Sequence, residues 1–396
     1  MIQISPETQL FIREHSSDDV RALALQAKKY PDINMPTAIT QIAGRQVAAE
    51  KIPSWREIEE IWYPKHLSLE QCSSEITARY KARLLQGDSL TDLTGGFGID
   101  CSFLATGFKS ATYVERQEEL CEIAAHNFLI LNLNHINVRN EDGVAYLQSM
   151  SPVDCIFLDP ARRNEHGGKT VAISDCEPNV AELEALLLSK ANRVMIKLSP
   201  MLDLSLALKE LKHTQEVHIL SVNNECKELL ILLGQTSPAK IAIHCVNLLT
   251  KGTQEEQHLV FTREQEQRSQ CTYTDSLGDY LYEPNASLLK AGAFRSIAAA
   301  YPIRKLHPNS HLYTSDSFIE NFPGRIFRIV NQCSFNKKEV KENLADLKKA
   351  NVTVRNFPAT VAELRKRLHL TEGGDTYLFA STLNNGQKVI IRCENV

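Results

Sequence analysis

The chain has 396 residues, 43% of them hydrophobic and 23% charged, with a formal net charge of −4. That balance belongs to a globular protein of more than one domain and excludes a disordered, fibrous or collagen-like chain. No apolar stretch nears the roughly 20 residues that span a bilayer; the longest strong run is Leu229 to Leu233. The ten cysteines form no Cys-x-x-Cys pair, and Met1 to Glu7 lacks the basic and apolar regions of a secretory signal. A disulfide lattice and a zinc knuckle are therefore not expected, and a reducing cytoplasm is.

Residues 1–86 read as a helical lobe. Ser17 precedes Asp18-Asp19 and the apolar stripe Val20, Leu23, Ala24 and Ala27, an N-cap followed by one buried face. A second helix is expected from Ala38 to Lys51, stopping at Pro53, and a third from Ser73-Ser74-Glu75 onward through Ile76, Tyr80 and Leu84. Residues 87–265 alternate strand and helix, the pattern of a doubly wound α/β sheet. Strands are expected at 89–94, 111–116, 136–140, 154–159 and 193–199, with helices after them at 98–106, 117–132, 143–149, 179–190 and 203–212. Val217 to Val222 and Glu228 to Leu233 lie too close for a helical crossover, so they must pair antiparallel. Such an ending is foreign to dinucleotide dehydrogenases.

Residues 240–263 look like an added β ribbon and 264–279 like a linker. The tail, 325–396, gives strand 325–335, helix 337–349, strand 352–356, helix 361–370 and strands 376–383 and 387–393. This β-α-β-α-β-β order suits a small α+β layer of ferredoxin-like type. Thr360 to Glu363 is a capping box, and Asn384-Asn385-Gly386 marks a hairpin. Between Asp275 and Val396 there are 17 basic and 12 acidic residues, leaving 27 and 36 in the rest. A basic tail on an acidic body fits docking to a polyanion such as RNA.

The chemistry gathers at four strand ends. Asp92-Leu93-Thr94-Gly95-Gly96-Phe97-Gly98 runs from a strand through a glycine turn into a helix, and bare backbone admits a ligand that a Cβ would exclude. Asp92 is placed to bind a ligand's ammonium. Glu115, followed by Arg116, ends the second strand, where an acid accepts both hydroxyls of a ribose. Asp142-Gly143 follows the third, suited to an adenine amine and to close approach of its ring. The same Asp142 is also a ready helix N-cap. A dinucleotide fold would need a small residue where Cys101 stands, which argues against NAD. Together these ends point to an adenosyl-type ligand.

Asp159-Pro160 closes the fourth strand as the expected catalytic edge, its carboxylate and carbonyl able to hold the two hydrogens of an acceptor amine. Arg162 and Arg163 follow as phosphate clamps. Lys169, in the long connection Asn164 to Glu177, and Lys197, inside an apolar strand, complete the substrate set; Lys197 alternatively snorkels outward. Among the thiols Cys176 is the one placed to act as a nucleophile, and Cys155 reads as core. His307 and His311 have ligand spacing, but Pro308 breaks the helix that would align them, so no metal is expected.

Residues 89–160 resemble class I S-adenosylmethionine-dependent methyltransferases in the order of Asp92 to Gly98, Glu115, Asp142 and Asp159-Pro160. The wider chain resembles a bacterial methyltransferase family with a ferredoxin-like segment and a THUMP-like C-terminal domain. The carrying stretches are Leu69 to Glu75, Asp159 to Arg163, Leu281 to Pro284 and Pro358 to Leu370. A second similarity is to trimethylguanosine synthase-type enzymes, through Gln71 to Glu75. The resemblance implies a Rossmann-like seven-stranded sheet with a terminal antiparallel hairpin. It also implies a helical lobe at 1–86, a methyltransferase domain at 87–265, a ferredoxin-like segment at 280–324 and a THUMP-like domain at 325–396. S-adenosylmethionine is then the cofactor and RNA, through a guanosine amine, the expected acceptor. A protein or small-molecule acceptor is the alternative. A catalytically decayed RNA-binding protein is another, because Ala161 stands where many amine methylators carry an aromatic.

Overall fold

The computed structural model describes residues 4–162, 172–252 and 254–396. The chain packs as two compact units, residues 1–215 with 230–238, and residues 216–229 with 239–396.

In the first unit the helical lobe holds helices Pro6–Glu14, Val20–Leu25, Met35–Lys51 and Glu75–Ala82. Pro6–Glu14 lies outside the expected elements. Pro6 at its first turn and the Ser5 side chain, which accepts from the Thr8 N–H, fix where it starts. Val20–Leu25 is capped by Asp19 rather than Ser17, because one carboxylate oxygen collects the N–H groups of both Arg21 and Ala22. Trp55, Ile61, Tyr63 and Leu69 pack with Phe97 and Ile99, so the core of the lobe closes over the glycine turn. The Phe97 ring meets Trp55 edge-on at 5.4 Å.

Beside the lobe run β1 (Ser89–Asp92), β2 (Ser110–Glu115), β3 (Ile136–Asn140), β4 (Val153–Leu158) and β5 (Ala191–Leu198). All pair in parallel, β1 with β2 and β4, β2 with β3, and β4 with β5. The chain then forms the hairpin β6 (Thr214–Val222) and β7 (Glu225–Gly234). Asn223 and Asn224 have φ of 48° and 68°, the left-handed pair that a two-residue turn needs to match strand twist. β8 (Ala242–Leu248) runs parallel to β6, and β9 (Glu256–Phe261) antiparallel to β8. The order is β9-β8-β6-β7-β5-β4-β1-β2-β3: the expected sheet with its terminal hairpin, widened by the added ribbon. Strand order reverses at β1, which is where open α/β sheets leave a crevice beyond the carboxyl ends.

The stretch expected as a linker contains the helix Arg263–Arg268, started by a Thr262–Gln265 capping box; its polar circumference hid it from periodicity. Beyond it, β10 (Tyr280–Pro284), β11 (Arg304–Lys305), β12 (Tyr313–Ser315), β13 (Gly324–Ser334), β14 (Asn351–Val354), β15 (Thr376–Thr382) and β16 (Lys388–Asn395) form one sheet. Its order is β11-β12-β10-β13-β16-β15-β14. Leu281, Phe327, Phe379 and Ile391 share a core under it, and helices Lys337–Leu344 and Val361–Leu368 complete the layer. Among the described residues no helix is long and apolar enough to cross a membrane.

Candidate active site

β1 ends in the fully buried Asp92, and the chain turns through Gly95-Gly96-Phe97-Gly98 into the helix Ile99–Leu104. Gly95 donates to the Val114 carbonyl at 2.9 Å, and a Cβ on it would stand 2.2 Å from the Tyr113 ring. Only bare backbone lies this close to β2. Gly96 and Gly98 have φ of 54° and 88°, so the turn itself needs glycine at both. The Phe97 side chain points into the lobe core and is 3% exposed; only its backbone remains for a ligand.

Glu115, at the end of β2, accepts from the Gly96 N–H with Oε2 and from the Gln117 N–H with Oε1, both at 2.9 Å. These bonds fix the carboxylate against the turn and leave each oxygen a further lone pair for a diol. Arg116 is exposed. Asp142 is the N-cap of the helix Gly143–Ser149: its Oδ1 accepts from Val144 and Ala145, both at 3.0 Å, leaving Oδ2 for an amine. Gly143 is required by the fold itself, since a Cβ there would stand 2.2 Å from the Leu93 carbonyl oxygen.

The Asp92 Oδ1 accepts from the Thr94 N–H at 3.0 Å, and Oδ2 is buried with no hydrogen-bond partner among the described residues. Burial pushes this carboxyl up to about 8, against the Thr94 hydrogen bond and helped by Asp100, Asp159 and Glu115 nearby. An orphaned buried acceptor ringed by acids calls for a cationic donor. The Thr94 hydroxyl oxygen in turn accepts from the Asp159 N–H at 2.6 Å, tying the glycine turn to the end of β4.

Pro160 is buried beside Asp159. The Lys197 ammonium, on β5, points inward and sits 2.5 Å from Asp159 Oδ2. Burial pushes the Asp159 carboxyl up and Lys197 pulls it back. Lys197 also reaches Ser73 Oγ at 3.0 Å and Asp100 Oδ2 at 3.3 Å. The fully buried Lys81 meets Asp100 Oδ1 and Ser73 Oγ, both at 2.8 Å. Burial alone would raise Asp100, but the two ammonium groups hold its carboxyl down at about 2. Lys81 and Asp100 escaped the sequence reading, and Ser73 entered it only as a helix start within the stretch Leu69 to Glu75. The one available signal was an acid directly inside the helix that follows the turn.

Arg162 lies in a two-residue ribbon, Ala161–Arg162 against Cys176–Glu177. Arg163 and Lys169 fall outside the described residues, as does most of the long connection around them. Cys176 is 3% exposed and Cys155 2%, so neither sulfur is accessible, and the Cys155 thiol is pushed up by burial to about 11. The His307 Nδ1 accepts from the Asn309 N–H at 3.1 Å, while His311 stacks on Phe294 at 3.6 Å, so each ring has another partner.

Residues 280–323 match a family described as a ferredoxin-like domain, and residues 324–395 one described as THUMP domain-like. No protein of curated function matches. A solved structure from Porphyromonas gingivalis W83, provisionally named a methyltransferase, is 34% identical over 100% of both chains, with a TM-score of 0.88. An rRNA methylase of Streptococcus thermophilus is 15% identical over 40% of this chain and 93% of its own, at a TM-score of 0.29. SMU.1697c of Streptococcus mutans, provisionally named a methyltransferase and solved with SAH, is 12% identical over 40% of this chain and 96% of its own, at 0.30. TM-scores of that size carry no functional inference. The full-length likeness does: the chain belongs to the bacterial family of class I methyltransferases that carry a ferredoxin-like segment and a THUMP-like C-terminal domain.

Proposed function

We propose that the chain methylates RNA from S-adenosylmethionine by direct in-line transfer, with a guanosine exocyclic amine as the candidate acceptor. The observation that carries the cofactor assignment is the buried, unbonded Asp92 Oδ2 beside the glycine turn. A methionine-type ammonium gives that oxygen the charged donor it lacks. Gly95 to Gly98 give the backbone cradle, Glu115 the acceptor for two ribose hydroxyls, and Asp142 Oδ2 the acceptor for the adenine amine. When bound, the cofactor supplies a methyl group on a sulfonium.

The chain's own task is alignment and exclusion of water. Asp159 and the Pro160 carbonyl accept the hydrogens of the incoming amine and leave its lone pair free to attack. Lys197 holds the Asp159 carboxylate in one orientation. RNA as the acceptor is supported by the THUMP domain-like match over 324–395 and the basic surplus of the tail.

The test is transfer of labelled methyl from S-adenosylmethionine to total RNA from a strain lacking the gene. RNA becomes labelled with the wild type and stays unlabelled with Asp159→Ala. Label in protein or small molecules alone overturns the RNA assignment. Calorimetry with S-adenosylhomocysteine tests the cofactor separately: Glu115→Ala loses about 1–3 kcal/mol, the scale of a lost charged acceptor.

A further inference from the structure

β6, β8 and β9 carry a row of histidines that the methyl-transfer site does not use. His218 on β6 lies opposite His244 on β8. His244 in turn lies opposite Val260 on β9, two residues from His258. Cross-strand partners share a sheet face, and so do residues two apart along a strand. Glu216, His218, His244 and His258 therefore stand on one face.

One ligand-type atom each from Glu216, His218 and His244 lies within 4.8 Å of the others. The His218 Nε2 is 3.3 Å from Glu216 Oε2, and His244 Nδ1 is 3.2 Å from His258 Nε2. We propose that this face binds a first-row divalent transition ion, zinc by preference, with Glu216, His218 and His244 as ligands and His258 nearest the fourth position.

Donors bonded at about 2.0–2.2 Å to a tetrahedral ion stand about 3.3–3.6 Å apart, close to the 3.3 and 3.2 Å within the two pairs. The wider 4.8 Å bound on the three ligands leaves a short inward movement for loading. Two imidazoles and a carboxylate suit zinc better than the all-oxygen cations. The His218 and His244 rings now stack at 4.2 Å with planes 11° apart, and lone pairs of parallel rings do not converge. Loading therefore turns a ring about χ2, a broad and soft torsion. The bound ion then clasps β6 to β8, neighbours otherwise joined through their parallel ladder. The expectation of no metal rested on His307 and His311. Ligands on paired strands, separated in sequence by a whole intervening strand, leave no spacing motif to read.

The test uses metal-stripped full-length protein titrated with Co²⁺, followed by its visible spectrum, and with Zn²⁺ by calorimetry. The expected result is one equivalent of Co²⁺ with tetrahedral d–d bands and no thiolate charge-transfer band, displaced by Zn²⁺. His244→Gln and His218→Gln each weaken binding about tenfold or more. Glu216→Gln does the same without disturbing a ring. A far-UV circular dichroism spectrum and urea midpoint of the metal-free variant equal to those of the metal-free wild type show that each variant is folded. Wild type that takes up neither ion overturns the site. So does thiolate-type binding, or variants that bind as tightly as wild type.

Discussion

Asp92 and Asp100 stand on either side of the glycine turn and titrate in opposite directions. Burial holds Asp92 up at about 8, whereas Lys81 and Lys197 outweigh burial and hold Asp100 at about 2. An unfolded aspartate titrates at about 3.9. Asp92 thus binds its proton more tightly folded than unfolded. Its contribution to stability is intact at low pH and is lost as pH rises from about 4 toward 8. For Asp100 the contribution is present above about pH 4 and is lost as pH falls toward 2. Near pH 7 the free protein therefore carries a protonated Asp92. Binding an ammonium there must expel that proton, so S-adenosylhomocysteine binding should release up to one proton. Calorimetry in buffers of different ionisation enthalpy measures it, and Asp92→Asn should abolish the release. A wild-type enthalpy independent of buffer would mean that the ammonium has another partner.

Three elements meet beside Asp159: the helix Glu75–Ala82 brings Lys81, the helix Ile99–Leu104 brings Asp100, and β5 brings Lys197. Removing one member of a buried ion network leaves its partner charged and short of compensation. Lys81→Met should therefore cost about 3–5 kcal/mol in urea unfolding. Adding Asp100→Leu should recover much of that loss; a double variant no more stable than the single one would show that Asp100 is not the strained partner.

This network also marks where reading the sequence stopped. The alternation from Ser89 to Gly234 located β1 to β7 within a few residues, because buried parallel strands bounded by turns repeat visibly. The placement of Asp92, Glu115 and Asp159 at strand ends was legible because strand ends can be counted. Lys81 looked like any lysine on a polar helix face, and Phe97 like part of the ligand turn, because neither sequence position reveals what a neighbouring element places against it. The strands between 304 and 315 were invisible for another reason. β11 has 2 residues and β12 has 3, too few for a period of two to register.

Over the whole molecule the charge is segregated, with 17 basic against 12 acidic residues from Asp275 onward and 27 against 36 before it. Some of the tail's cations are already engaged: Arg365 pairs with Glu372 at 3.1 Å and Arg392 with Asp346 at 3.0 Å. The Arg367 guanidinium lies 4.1 Å over the Phe335 ring. Lys338 and Lys341 on the helix Lys337–Leu344, and Lys366 on the helix Val361–Leu368, are exposed and are the better candidates for phosphate contacts. Each phosphate contact releases condensed counterions, so losing one lowers the slope of log K against log salt by about 1. Full-length protein carrying Lys338→Glu, Lys341→Glu and Lys366→Glu should bind RNA more weakly and with a shallower slope. Its affinity for S-adenosylhomocysteine should not change, since the Asp92, Glu115 and Asp142 acceptors lie in the first unit and the three lysines in the second. An unaltered salt slope would take RNA docking away from these two helices and leave the tail's positive surplus without that role.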